Sequence, residues 1–388
     1  MIPEGWQEAK LQDVAPVIDC KHKTPRYTAQ GVPIVSPGNL AWGALKLDGC
    51  RTISESDHAE MMDHCSVAIG DVVFGRNQSV GVSSIVTTDS PFALGQDTVL
   101  IKPTTISPGF LHQWLQSRQF ELSILRLQGG STFGRINLKD LRAVPTPVPP
   151  SIEADRIAET LQTWDRAIET VEALIANARA QKQALMQQLL PQGATPPKKR
   201  LPGFSGEWHE GRLGSLADIS KGEQKGRASL SGEGPVPVIN GGIAPSGYTD
   251  HPNTAANTIT ISEGGNSCGH VDLITQPFWC GGHCYALKNL KVDRDYLFAV
   301  LKHRQPEIMS LRVGSGLPNV QKKALSQFSI PVPARPEQEK IGELAASADK
   351  EIAALEAQLT ALRHEKAALM QQLLTGKRRV KLPEGEAA

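Results

Sequence analysis

The chain has 388 residues, 40% hydrophobic and 21% charged, with 41 Lys and Arg against 40 Asp and Glu. That length accommodates two or more domains, and the balanced charge excludes a globally basic nucleic-acid coat, so any nucleic-acid footprint must be a local patch. No stretch approaches the ~18 apolar residues of a membrane span and the first residues lack a signal-peptide core, which leads us to expect a cytoplasmic protein whose cysteines (Cys20, Cys50, Cys65, Cys268, Cys280, Cys284) are reduced.

Residues 1–150 read as an α+β head. Short β-rich runs at Val32–Ser36, Val72–Gly75, Ser84–Thr87 and Thr98–Ile101 alternate with Gly, Pro, Asn and Ser turns, and a helix over Pro108–Leu127 closes the unit. The loop Cys20–Tyr27 carries Lys21, Lys23, Arg26 and Tyr27 beside a proline, so its cations can reach a phosphate backbone; a solvated charged loop is the competing reading. After the run Val72–Gly75 come Arg76, Asn77, Gln78 and Ser79. Arg can make a bidentate contact to a guanine edge and Asn or Gln to an adenine edge, which favours base readout over a structural turn. Arg135, at the join between head and helix (Ser131-Thr132-Phe133-Gly134-Arg135), is a further candidate, although there a structural role is favoured.

Residues 151–190 form a long helix. Ile157, Leu161, Trp164, Ile168, Val171, Ile175, Ala178, Lys182, Leu185 and Leu189 alternate spacings of four and three, a heptad seam along one helical stripe. About 38 residues at 1.5 Å each span ~57 Å, and a rod with one narrow apolar stripe requires a partner helix. Residues 191–204, rich in Pro and Gly, read as a linker.

The chain then repeats itself. Residues 205–335 form a second head with strands at Val236–Asn240, Thr258–Ser262 and Cys284–Leu287 and a helix over Asp293–Leu311. Residues 336–375 form a second long helix with the seam Ile341, Ala345, Ala348, Ile352, Leu355, Leu359, Leu362, Lys366, Leu369 and Leu373, and 376–388 are a basic tail. Each seam residue lies 184 positions (341 less 157) after its counterpart, Gly130–Leu190 aligns with Gly314–Leu374 without a gap, and both helices end in Leu-Met-Gln-Gln-Leu-Leu. The obvious partner for each helix is its own repeat. Lys182 and Lys366 at seam positions either fix register or snorkel out of the seam.

In the second head, Lys221, Lys225 and Arg227 are the phosphate candidates. Glu263, Asn266 and Ser267 occupy the place of the Arg76–Ser79 turn, where Glu263 can accept from a cytosine amino group. Asn240 ends a strand, and Asn319 matches Arg135. Only the helices and their flanks are alike, while the head interiors share few letters, which points to two heads doing the same task on different targets. Cys268, His270, Cys280, His283 and Cys284 are ligand types in one span, but their Cys-x-His and Cys-x2-His-Cys spacings are not zinc knuckles, so buried strand cysteines are the better account and no metal is expected. No amino-methyltransferase, phosphate-loop or cofactor motif occurs, so no catalytic residue is assigned and the chain is not expected to be an enzyme by itself.

With Pro3, Gly5 and Trp6 at the start and Gly206-Glu-Trp208 as their echo, with Lys23-Thr-Pro25, with Gly70–Val73, and with a Pro-rich entry into each helix (Pro147 to Ile157, Pro331 to Ile341 through Glu337-Gln338), the chain resembles over its whole length the specificity subunit of Type I restriction–modification enzymes. The first helix departs from the family's pattern, carrying Glu153-Ala154 where the family usually has Glu-Gln, and the second head lacks the Lys-Thr-Pro echo. The resemblance implies two target recognition domains separated by two long antiparallel coiled-coil helices in a pseudo-twofold repeat. Each domain would read one half of an asymmetric bipartite site in double-stranded DNA, with the helices as a ruler for the unread spacer. It further implies two methyltransferase subunits as partners, which hold S-adenosylmethionine and modify adenine, joined by restriction–translocase subunits; this chain itself would bind no cofactor and no membrane. A complete single-chain modification enzyme and a DNA-independent coiled-coil scaffold are the rival readings.

Overall fold

The structure is a computed structural model and describes residues 3–77, 80–127, 134–191, 197–314 and 316–381. The chain forms two compact units, Met1–Glu172 with Gln358–Ala388, and Ala173–Ala357, so the division falls inside both long helices rather than at the linker.

In the first unit, Val72–Gly75 and Thr98–Ile101 pair antiparallel at the centre of a five-stranded sheet, with Val17–Asp19 outside one and Ser83–Ile85 and then Gly43–Ala44 outside the other. Every residue of both central strands is buried, which is why these segments read as unbroken apolar runs rather than alternating ones. A four-stranded sheet follows the order Tyr27–Thr28, Arg51–Ile53, Val32–Val35, Ala93–Leu94, its last pair parallel. Gln7–Lys10 pairs with Pro145–Val148 across the foot of the head.

The second unit repeats this plan with different letters. Asp218–Lys221, Cys284–Lys288, Thr258–Ser262 and Val271–Ile274 form an antiparallel sheet in the corresponding order; Val236–Ile239 pairs parallel with Trp279–Cys280; and His209–Arg212 pairs with Ser329–Val332 at the foot.

The single helix expected at the end of each head is in fact two. Pro108–Leu115 stops and Arg118–Leu127 restarts, because Ser117 Oγ accepts from Phe120 N at 3.2 Å and caps a new helix start. In the second head Arg294–His303 gives way to Gln305–Ser310, where Pro306 has no N–H with which to continue the first helix.

The long helices run Ser151–Leu189 and Arg335–Leu373. Within the first unit Lys366 Nζ donates to Asp165 Oδ1 at 2.5 Å and Arg363 Nη2 to Glu172 Oε1 at 2.6 Å; within the second, Lys182 pairs with Asp349 and Arg179 Nη2 donates to Glu356 Oε1 at 2.5 Å. Each pair has its repeat counterpart, and in each unit the partner positions ascend on one helix as they descend on the other, so the two helix segments are antiparallel. The charges themselves select that direction, since a parallel pairing in register would set Lys182 beside Lys366 and Asp165 beside Asp349. Lys366 is only 9% exposed. Lys366 therefore does not snorkel into solvent, and both seam lysines, Lys182 half-buried, pair with an aspartate across the seam.

Seam burial is graded. Ile157, Leu161, Val171, Ile175, Leu189, Ile341 and Leu373 are buried, whereas Trp164, Ile168, Leu185, Ile352, Leu355, Leu359, Leu362 and Leu369 are half-buried, as expected for a two-helix contact that leaves one side open. The repeated Leu-Leu at the helix ends is explained by the heads. Leu373 and Leu374 join the core of the first unit with Trp6, Phe110 and Phe120, and Leu189 and Leu190 join that of the second with Tyr296 and Ile330.

Candidate nucleic-acid interface

In the first head the strand Val72–Gly75 delivers Arg76 and Asn77 to the end of the five-stranded sheet. Asn77 forms a bridge with Arg135, and Arg76 O accepts from Ile136 N at 3.1 Å, so the head–helix join lies against this turn. Asp97, held at φ +62°, organises the corner: it accepts from Asn77 Nδ2 at 3.3 Å, and Arg135 Nη2 lies 3.3 Å from it. Gln96 Nε2 donates to Thr24 Oγ1 at 3.1 Å, tying the basic loop to the same corner. A cleft of about 580 Å³ opens here, lined by Lys23, Tyr27, Asn39, Arg51, Asn77 and Gln96 among others, with the Arg51 guanidinium 4.7 Å over the exposed Tyr27 ring. Amide, phenol and guanidinium groups around one opening are suited to base edges and phosphates.

Two expectations change. Arg76 is not presented on this face: its side chain is 5% exposed, with Nη1 3.6 Å from Asp19 Oδ2 and the buried Nε without a hydrogen-bond partner. Lys21 and Lys23 are already paired, Lys21 with Asp63 at 2.6 Å and Lys23 with Glu60 at 2.5 Å, and a phosphate would have to compete with those carboxylates. Arg26 and Arg135 are exposed. Gln78 and Ser79 lie outside the described residues, as do Ser131, Thr132 and Phe133.

In the second head the matching strand Thr258–Ser262 delivers Glu263. Its carboxylate accepts from Lys221 Nζ at 2.6 Å and Tyr285 OH at 2.9 Å through Oε1, while the buried Oε2 has no hydrogen-bond partner and lies 3.7 Å from His283 Nδ1. Burial and then the Glu263 contact push the Tyr285 phenol well above its ordinary range, so it stays a donor. Glu263 O accepts from Val320 N at 2.8 Å, the counterpart of the Arg76–Ile136 bond, which places the two turns at the same position of the plan. Asn240 Oδ1 accepts from His283 N at 3.0 Å, and Ser267 Oγ donates to Gly241 O at 2.5 Å; Asn266 and Asn319 are exposed. Lys221, Asn240, Glu263, Ser267 and Asn319 thus share one corner. Lys225 stands apart, 4.0 Å over the Trp279 ring with Nζ donating to Thr249 Oγ1 at 2.5 Å, and Arg227 is exposed on a short 3-10 turn.

Sequence reasoning missed Asn39, Arg51, Gln96 and Asp97 in one head and Trp279, His283 and Tyr285 in the other. Gln96 and Asp97 are far in the chain from Asn39 and Arg51, and Trp279, His283 and Tyr285 are far from Lys221 and Asn240, so no local pattern ties them to the residues they join.

A larger hollow in the first unit, about 1020 Å³, is lined by Asp165, Glu169 and Glu172 beside Arg363 and Lys366. Its carboxylates make it the poorer place for a polyanion. Among the described residues the one group of three metal-type side chains close together is Asp19, Cys20 and His22, not the cysteine and histidine span of the second head. Burial pushes the Cys20 thiol up, and the Arg76 guanidinium faces Asp19, two features adverse to a cation. All six cysteines are free thiols, and Cys268, Cys280 and Cys284 are buried, the latter two on strands.

Comparison with known proteins places these observations. A sequence profile described as the Type I restriction modification DNA specificity domain matches residues 3–178 and again 205–362. A putative type I restriction enzyme MjaX specificity subunit from Methanocaldococcus jannaschii is 26% identical over 98% of this chain and 95% of its own length. Putative type I specificity subunits from Mycoplasma pneumoniae and Mycoplasma genitalium are each 35% identical, but the match spans only 36% and 33% of their lengths. A crystal structure of a Type I restriction–modification S subunit from M. genitalium aligns over 96% of both chains with a TM-score of 0.70 at 21% identity, which shows the common fold. No helix among the described residues is long and apolar enough to cross a membrane. The chain belongs to the Type I restriction modification DNA specificity family.

Proposed function

We infer that this chain is the DNA-reading, non-catalytic subunit of a Type I restriction–modification assembly in the cytoplasm. Each head reads one half of an asymmetric bipartite site in duplex DNA. The observation that carries this reading is a shared frame with exchanged side chains: the same strand, turn and join carry Arg76, Asn77 and Arg135 in one head and Glu263, Gly264 and Asn319 in the other. Donor-rich and acceptor-bearing surfaces at equivalent positions suit different base edges. The long helices set the number of unread base pairs and dock two methyltransferase subunits, which hold S-adenosylmethionine and modify adenine; restriction–translocase subunits join the same body. Backbone contacts come from Arg26, Arg227 and the two lysine loops, which add affinity without sequence information.

Single-molecule sequencing of adenine methylation in cells that express this chain with its methyltransferase tests the reading. The expected result is one asymmetric motif of two short half-sites around a fixed gap. Genomic DNA without such a motif, from cells in which the assembled complex is present, overturns it.

A further inference from the structure

In the second head, Val313 and Asn319 exchange backbone hydrogen bonds of 2.8 and 3.0 Å, closing a tight hairpin whose apex carries Gly314, Gly316, Leu317 and Pro318. The hairpin is fastened to the Glu263 turn, because Gly265 N donates to Pro318 O at 3.0 Å and Val320 N to Glu263 O at 2.8 Å. Leu317 at the apex is 86% exposed, the most exposed large apolar side chain among the described residues. Isolated exposed leucines are common, so exposure alone says little. Two further observations bear on this one.

The first is charge. No Asp or Glu occurs between Glu307 and Glu337, while Arg312, Lys322 and Lys323 flank the hairpin and are exposed. An apolar tip in a segment of cations without carboxylates is complementary to a polyanion with an apolar interior, and duplex DNA is both. The second is the repeat. The position aligned with Leu317 is Phe133, within a segment that also lacks Asp and Glu between Glu121 and Asp140 and carries Arg126, Arg135 and Lys139. Heads that otherwise share few letters both carry a large apolar residue there.

We propose that Leu317 is an apolar wedge that enters the base stack of the half-site read by the second head. Insertion partly unstacks one step, and burial of the leucine offsets part of that cost. The polar corner beside it, with the exposed Asn266 and Asn319, then meets base edges that the opened step exposes. Chemistry on a base requires it to leave the stack, so a loosened step next to the reading corner lowers the cost of that movement. The proposal rests on the DNA-reading function above.

The test uses the full chain assembled with its methyltransferase subunits and duplexes of the methylated sequence carrying 2-aminopurine at successive positions of the second half-site. Wild type and Leu317→Phe should raise fluorescence at one step. Leu317→Ala should abolish that rise and weaken binding to this duplex about tenfold, while binding to a random duplex changes less than about twofold. Because Leu317 is exposed, the melting temperature should not move, so a folding defect is separable. If Leu317→Ala keeps the fluorescence rise, the wedge is refuted. Loss of methyltransferase subunits with unstacking intact would mark a protein-docking residue and refute it equally. Preferential binding by wild type with no unstacked step overturns the wedge alone, whereas no preference for any duplex overturns the DNA-reading function and the wedge with it.

Discussion

At the scale of single residues, two buried carboxylates tie the start of each long helix to the segment that follows the end of the other. Glu153 and Glu337, both 2% exposed, are repeat counterparts. Arg379 donates to both oxygens of Glu153, through Nε at 2.5 Å and Nη2 at 2.6 Å, and Arg200 does the same for Glu337 at 2.7 and 2.6 Å. In each case the arginine follows the end of the other long helix and also binds a backbone carbonyl of the head, Glu4 O or Gly206 O. Trp6 Nε1 adds a third bond to Glu153 at 3.0 Å. Removing the guanidinium leaves a desolvated carboxylate near a helix start with one remaining donor. Arg379→Ala should therefore destabilise the first unit by about 2–4 kcal/mol, reduced from the roughly 3–5 kcal/mol of a broken fully buried pair because Arg379 is half exposed. Urea unfolding checks this. A loss below about 1 kcal/mol would mean that water replaces the arginine, and the same change at Arg26 should cost almost nothing. The family's Glu-Gln motif thus has a structural use here: in the second helix Gln338 also accepts from Asp293 N at 2.9 Å and donates to Pro333 O at 2.8 Å, and the alanine at 154 gives up those two bonds in the first helix while keeping the held glutamate.

At the scale of elements, the helix pair is specified by charge as well as by its apolar stripe. Half of the seam is only half-buried, so apolar burial alone discriminates weakly between registers, while a shift of one heptad separates each lysine from its aspartate by roughly 10 Å at 1.5 Å per residue. Seven residues inserted into one long helix alone, between Asp165 and Ile175, should lengthen the unread gap of the methylated motif or abolish methylation. Sequencing of methyladenine reads this directly, and an unchanged gap would refute the ruler. The broken helices at Ser117 and Pro306 show the opposite case, in which a local side-chain cap or a missing N–H overrides a continuous helical pattern.

At the scale of the whole molecule, the repeat is deeper than the letters suggest. Strand order, the parallel pair in each head, the foot ladder and the turn-to-join hydrogen bond recur where sequence identity has faded, because backbone pairing constrains topology and leaves exposed side chains free to differ. Exchange of residues 205–335 for the equivalent head of another family member should accordingly change one half of the methylated motif and leave the other half and the gap as they were. A change in both halves would show that the heads do not read independently.

By itself, the sequence determined the periodic parts: two heptad seams at a constant offset, the Pro-rich entries, the apolar central strands and the family they spell together. These are legible because regular elements repeat their burial at fixed spacing. Tertiary structure alone decided which polar residues meet. Arg76 has the side chain of a base reader, yet the fold buries it beside Asp19; Asp97, Gln96 and Tyr285 have no motif, yet the strand pairing brings them to the corners where Asn77 and Glu263 stand. A surface built from turns of several strands depends on long-range backbone pairing, and that pairing leaves no period in the chain for a reader to follow.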